Sequence, residues 1–236
     1  MKKLNLFTVI LLCLVVNVTT ISCSNDDDTT AEDPQVEDPT SNYFPLALNN
    51  TWNYDFTGGD DLVIDLYSTL THNGNTFYIT DFINPVDGGD MIQGYRVDGS
   101  TYYGYNGETT IDYDYSGFST TATIDPAEFV FFNDTMEVNE SITTTVAAPT
   151  EISALGISVD TTTNFEFIAT VVGKDLEMTV NGEMYTDVIK VYLVVNADIS
   201  GSIVTEELYY YFANNVGPIQ LESSLGDYTL LTYTLN

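Results

Sequence analysis

In NFEFIATVV, residues 164–172, Phe165, Phe167, Ala169 and Val171 occupy alternate positions, with Glu166, Ile168, Thr170 and Val172 between them. A period of two places the two sets on opposite faces of an extended chain. Near the end, Thr229, Leu231, Tyr233 and Leu235 alternate in the same way with Tyr228, Leu230, Thr232 and Thr234. Comparable runs rich in aromatic and β-branched residues recur along most of the chain: 51–56, 62–68, 76–82, 91–97, 101–106, 109–115, 141–146, 176–180, 187–195 and 204–212. This pattern commits the chain to sheets.

Turn chemistry supplies the connections. His72-Asn73-Gly74-Asn75, Asp98-Gly99, Asn106-Gly107 and Asn181-Gly182 lie between strand-like runs. Asn-Gly and Asp-Gly accept the positive φ of tight hairpins, so the flanking runs are expected to pair antiparallel. DVIKVYLVV (187–195) is apolar on both faces apart from Lys190, the mark of a central strand. One helical turn is expected in DPAEFVFF (125–132), where Asp125 suits a cap, Pro126 the first helical position and Glu128 a capping box. Gly217-Pro218 is expected to form a bulge or sharp turn between two strands. The fold expected is all-β: a large twisted antiparallel sheet, curled into a partly open barrel or folded as a sandwich, with little helix outside the N-terminal leader.

That leader is Met1-Lys2-Lys3 followed by the apolar run 4–16. The run falls short of the roughly 20 residues that span a bilayer, so it reads as a secretory signal over 1–22. Thr20-Ile21-Ser22-Cys23 resembles the lipobox of bacterial lipoproteins, with Thr20 in place of the usual leucine. The resemblance implies cleavage after Ser22 and lipidation of Cys23. Ser24, Asn25, Asp26, Asp27 and Asp28 resemble the acidic export signal of Bacteroidota surface lipoproteins, which implies an outer-membrane protein facing the cell exterior. Residues 23–42, acidic and without aromatics, form the tether, and 43–236 form a single domain. The segments NYFPLALNNTWNYDF (42–56), YTDVIKVYL (185–193) and LYYYFANNVGPIQLES (208–223) are similar to a group of β-rich Bacteroidota lipoproteins. The shared elements are Phe44, Pro45, Leu46, Asn50, Thr51, Trp52, Asp187, Val188, Val191, Tyr211, Val216 and Gly217. The likeness implies a fold and a location, and no particular chemistry.

Charge narrows the partners. Removal of the leader leaves Arg96, Lys174 and Lys190 against 35 acidic residues. Such a chain repels nucleic acid, so nucleic-acid binding is not expected. The acidity suits a solubilising surface and a salty habitat, where ions screen the repulsion. Cys13 leaves with the leader, so Cys23 is the only remaining cysteine, and neither a disulfide nor a thiolate metal site is expected.

Catalytic signals are sparse. His72 is the only histidine and sits beside an Asn-Gly turn, where a solvent-facing turn residue is expected. No Gly-x-Ser-x-Gly elbow accompanies it, so the chain reads as non-enzymatic and without a cofactor. Asp87 and Asp90 flank a Gly-Gly turn and form a calcium candidate, weighed against an ordinary acidic turn. GGDD (58–61) is similar. Asp28-Thr29-Thr30, Asp134-Thr135-Met136 and Asp160-Thr161-Thr162 resemble Bacteroidota O-glycosylation sites. Tyr102, Tyr103 and Tyr105, with Tyr209, Tyr210, Tyr211 and Phe212, offer either a platform for a glycan or apolar ligand, or cross-strand pairs. Two functions are carried forward. One is a surface-displayed binding or structural module with a glycan, lipid or protein partner. The other is a periplasm-facing carrier of lipid or an apolar ligand, which predicts a large apolar cavity.

Overall fold

The computed structural model describes residues 41–236, apart from 58–60, 84–89, 116–117, 200–201 and 225. All regular structure among the described residues is strand, arranged as two antiparallel sheets. The large sheet has ten strands, numbered in chain order. From edge to edge it runs β2 (Leu62–Asp65), β1 (Thr51–Phe56), β15 (Gly226–Thr234), β14 (Gly217–Ser223), β13 (Ser202–Ala213), β12 (Glu183–Ile199), β11 (Ile157–Val180), β10 (Ser141–Ala154), β8 (Phe118–Ile124) and β7 (Thr109–Tyr115). The small sheet has five: β3 (Ser68–His72), β4 (Asn75–Ile83), β5 (Asp90–Asp98), β6 (Thr101–Asn106) and β9 (Ala127–Asn133).

The sheets face each other, and the large one curls until both flanks reach the small one. On one seam the Asp65 amide donates to Thr80 Oγ1 at 3.1 Å. On the other, the Val130 amide donates to Thr144 Oγ1 at 3.1 Å. The ladders do not merge, so the architecture is a curled sandwich and not a closed barrel. Its core is built as the alternation requires. Phe165, Phe167, Ala169 and Val171 are fully buried, and β12, sixth across the large sheet from β2, buries Val188, Ile189, Val191, Leu193 and Val195. Ring contacts fasten the layers, Phe129 on Phe167 at 4.3 Å and Phe132 against Phe212 at 4.9 Å.

Several local expectations give way to tertiary demands. DPAEFVFF is not helical: Ala127–Asn133 is strand β9, because Ala127, Phe129 and Phe131 alternate into the core and β6 supplies the ladder partner. Asn106-Gly107 does not close a hairpin. The chain there crosses from the small sheet to the large one, with the Gly107 amide donating to the Ile92 carbonyl at 2.7 Å. The run 62–68 breaks at buried Leu66, whose amide donates to the Asn50 carbonyl at 3.0 Å as the chain changes sheets. Residues 164–172 and 176–180 fuse into one long strand, β11, with register shifts around Gly173. The turns at Asn73-Gly74 and Asn181-Gly182 have the expected positive φ at both residues, and Gly99 has it in the β5–β6 turn. Gly217-Pro218 opens β14, where the register shifts between Tyr211 and Phe212.

The N-terminal segment plugs one end of the sandwich. Phe44 packs on Trp52 at 5.3 Å and on Tyr95 at 4.5 Å. The Trp52 indole N–H donates to the Val216 carbonyl at 2.7 Å. Asn50 Nδ2 donates to the Pro45 carbonyl at 2.7 Å, and the amide of Asn236 donates to Asn50 Oδ1 at 2.8 Å. The Tyr43 hydroxyl and Asn214 Nδ2 both donate to Asp187, at 2.6 and 2.7 Å. The shared elements of the lipoprotein likeness therefore include the parts of a structural clasp that joins the first strand to the last.

Candidate functional site

Inward of the clasp, a cleft runs between the sheets toward Asn106, at the end of β6 away from Tyr102. β5 contributes Gln93 and Tyr95, β6 Asn106, β9 Phe129 and Phe131, and β13 Tyr210, all by inward alternation. The cleft continues past Gln93 and Tyr210 toward Tyr54, Gln220 and Tyr228, where Phe44 of the clasp bounds it. Its two adjoining cavities measure about 40 and 80 Å³. Gly104 makes room for the aromatic wall: a Cβ there would lie 2.5 Å from the Phe129 ring.

Polar groups are few and buried. The Tyr95 hydroxyl donates to Gln93 Oε1 at 3.1 Å, and the Tyr54 hydroxyl to the Pro218 carbonyl at 2.7 Å. Asn106 is 3% exposed, and its Nδ2 meets no hydrogen-bond partner. A buried donor of this kind calls for a water or a ligand acceptor. Burial drives the hydroxyls of Tyr54, Tyr95 and Tyr210 well above the usual tyrosine range, because a phenolate would be desolvated there. They serve the cleft as neutral donors. No cation lines either cavity, so the cleft suits small neutral groups with an acceptor oxygen.

A second concavity, of about 480 Å³, lies at the seam where β9 of the small sheet meets β10 of the large one, and holds His72, Asn73, Tyr103 and Glu128. His72 is half-buried with its ring 5.1 Å from that of Tyr105, so it is part of an aromatic cluster and not a free turn residue. Arg96 stacks over Tyr103 at 3.7 Å and bonds Glu128 at 2.8 Å and Asp98 at 3.0 Å. The tyrosine run divides by parity. Phe212 is buried and Tyr210 packs on the core, while Tyr209 stacks on Tyr192 across the ladder at 4.8 Å, and Lys190 sits over both Tyr209 and Tyr211. Cross-strand pairing accounts for these outward rings.

Cys23, Ser24, Asn25, Asp26, Asp27, Asp28 and Asp87 lie outside the described residues, as do Gly58, Gly59 and Asp60. Asp90 begins β5 opposite Ile83, and its side chain is likewise outside the description. Among the described residues no group of three or more His, Cys, Asp or Glu is placed to hold a metal ion. Of the glycosylation candidates, Thr135 is exposed but its hydroxyl is bonded to Asn133 Oδ1 at 2.6 Å, and Thr161 lies on β11. The cleft amides Gln93 and Asn106 carry no sequence signal: a lone amide in a strand resembles any outward polar residue, and Asn106 was disguised by Gly107. No protein-family model matches the chain, and no curated protein or solved structure matches it either.

Proposed function

We propose that the chain is a non-catalytic lipoprotein, anchored through Cys23 in the outer membrane, that presents a binding module to the cell exterior. One observation carries the reading. The chain joins the domain at the clasp, where Asn42 meets Asn214 and Asn215, and Asn106, whose amide has no partner, ends β6 on the side away from Tyr102 and its clasp partner Tyr43. An anchor ahead of residue 42 therefore tethers the clasp and leaves the Asn106 end of the cleft on the side away from the anchor. The cavities of about 40 and 80 Å³ weigh against the carrier alternative, since ligand pockets run to about 300 Å³ or more.

Protease treatment of intact cells tests display: loss of the protein is expected, and protection until the cells are lysed would overturn it. Native mass spectrometry of protein released from its own host tests the carrier. A bound lipid-sized mass would revive that reading, and a clean apo mass is expected.

A further inference from the structure

β10 and β11 form a long hairpin whose far end is built unlike the rest of the sheet. β11 pairs with β10 along its whole upper length, from Ile157↔Ala154 to Thr170↔Ser141. On its other side it pairs with β12 only from Asn164↔Asp198 onward. Along Ile157–Thr162, among the described residues, that second edge has no partner strand. A free edge is a template for another strand, and proteins blunt such edges with lysine, proline or bulges. ISVDTTT has no lysine, proline or bulge, and its one charge is Asp160.

Two further features mark the edge. Ile157 and Val159 share the face of Phe165 by period two, yet are 68% and 59% exposed. Leu155, 74% exposed, opens the turn at φ 54°, a position that favours Asn or Gly and disfavours a bulky apolar residue. On the opposite face Glu151 and Asp160 are direct cross-strand partners, a like-charge pair that destabilises the hairpin standing alone. The hairpin thus shows apolar side chains on one face and unneutralised carboxylates on the other, beside unpaired backbone.

We propose that Ile157–Thr162 is a docking edge for an extended segment of another protein in which apolar and basic residues alternate. The added strand continues the ladder of β11. Its apolar side chains cover Ile157 and Val159, and its cations meet Glu151 and Asp160. Charge selects against a second copy of this chain, because antiparallel self-pairing would bring Asp160 close to its own counterpart in a molecule that already repels itself. The proposal deepens the binding-module reading, and stands apart from where the protein resides.

The test titrates the full chain with a synthetic peptide alternating valine and lysine, long enough to span the edge. Two controls accompany it: one of the same composition with its valines and lysines in separate blocks, and one alternating valine and glutamate. Saturable binding of the first peptide is expected, with slowed amide exchange confined to Ile157–Thr162 and its neighbours. The controls should bind about tenfold more weakly or worse. The double variant Ile157→Lys/Val159→Lys should lose at least about tenfold in affinity with an unchanged melting temperature, since both side chains are exposed. Equal binding of the blocked peptide, absence of exchange protection, insensitivity to the double variant, or a concentration-dependent dimer that protects the same amides would each overturn the proposal. Such a failure leaves the display reading intact, because protease treatment of cells does not depend on this edge.

Discussion

Trp52 shows how one side chain can fix two ends of a chain. Its indole N–H reaches the Val216 carbonyl, and its ring leaves no space above Gly217, where an added Cβ would lie 2.8 Å from Nε1. Gly217 also sits at φ 107°, which an L side chain rarely adopts. Gly217→Ala should therefore destabilise the domain by about 1–3 kcal/mol, combining overpacking with backbone strain. Urea unfolding would measure it, and an unchanged midpoint would show that the clasp can relax. The buried tyrosines carry a pH signature. Tyr54, Tyr95 and Tyr210 have hydroxyl pKa values raised by burial, and Tyr102 is pushed up to about 12, again chiefly by burial. The unfolded chain gives up these protons first, near pH 10, so it binds fewer protons than the native state above that point. Their contribution is complete below about pH 10 and is lost as pH rises through the folded values. Tyr95→Phe should flatten that decline, which melting curves from pH 8 to about 11 would record.

Among the elements, the β10–β11 hairpin trades stability for exposure. Replacing Leu155 by Asn restores a residue suited to positive φ and removes an exposed apolar side chain. Leu155→Asn should raise stability by about 0.5–1 kcal/mol. A lower melting temperature would mean that Leu155 makes a contact the turn needs. β9 teaches the complementary lesson. Asp125, Pro126 and Glu128 form a respectable helix start, but Phe129 and Phe131 bury only when the segment is extended beside β6. Core burial of large rings, worth about 1.5–3 kcal/mol each, outweighs the few tenths carried by local propensity.

The whole molecule is held together against its own charge. Its formal net charge is −30, and Arg96 is the basic member of the ion pairs found among the described residues. Salt should therefore stabilise it. The urea midpoint is expected to climb as sodium chloride rises from low concentration to about 0.5 M, where the screening length shrinks to a few ångströms. A midpoint indifferent to salt would imply that the carboxylates are neutralised in some other way. The clasp adds a second whole-molecule consequence: truncation before Asn50 removes Phe44 from the Trp52 and Tyr95 rings. The first strand then loses its ring partner, and Asn50 loses the Pro45 carbonyl that positions it for Asn236.

The sequence by itself determined the all-β class, the central place of β12, the inward face of β11 and three of its hairpin turns, because alternation and positive-φ turn residues are local properties written in neighbouring positions. It also pointed to the clasp residues without showing that they meet. Only the tertiary structure decided that the strands split into two sheets, that Asn106-Gly107 is a crossing and that 127–133 is a strand. It alone assembled Gln93, Asn106 and Tyr210 into one cleft and, among the described residues, left Ile157–Thr162 with an open edge. Each of those outcomes depends on which distant strand becomes a neighbour, and pairing between residues far apart in the chain leaves no periodic mark on either segment alone.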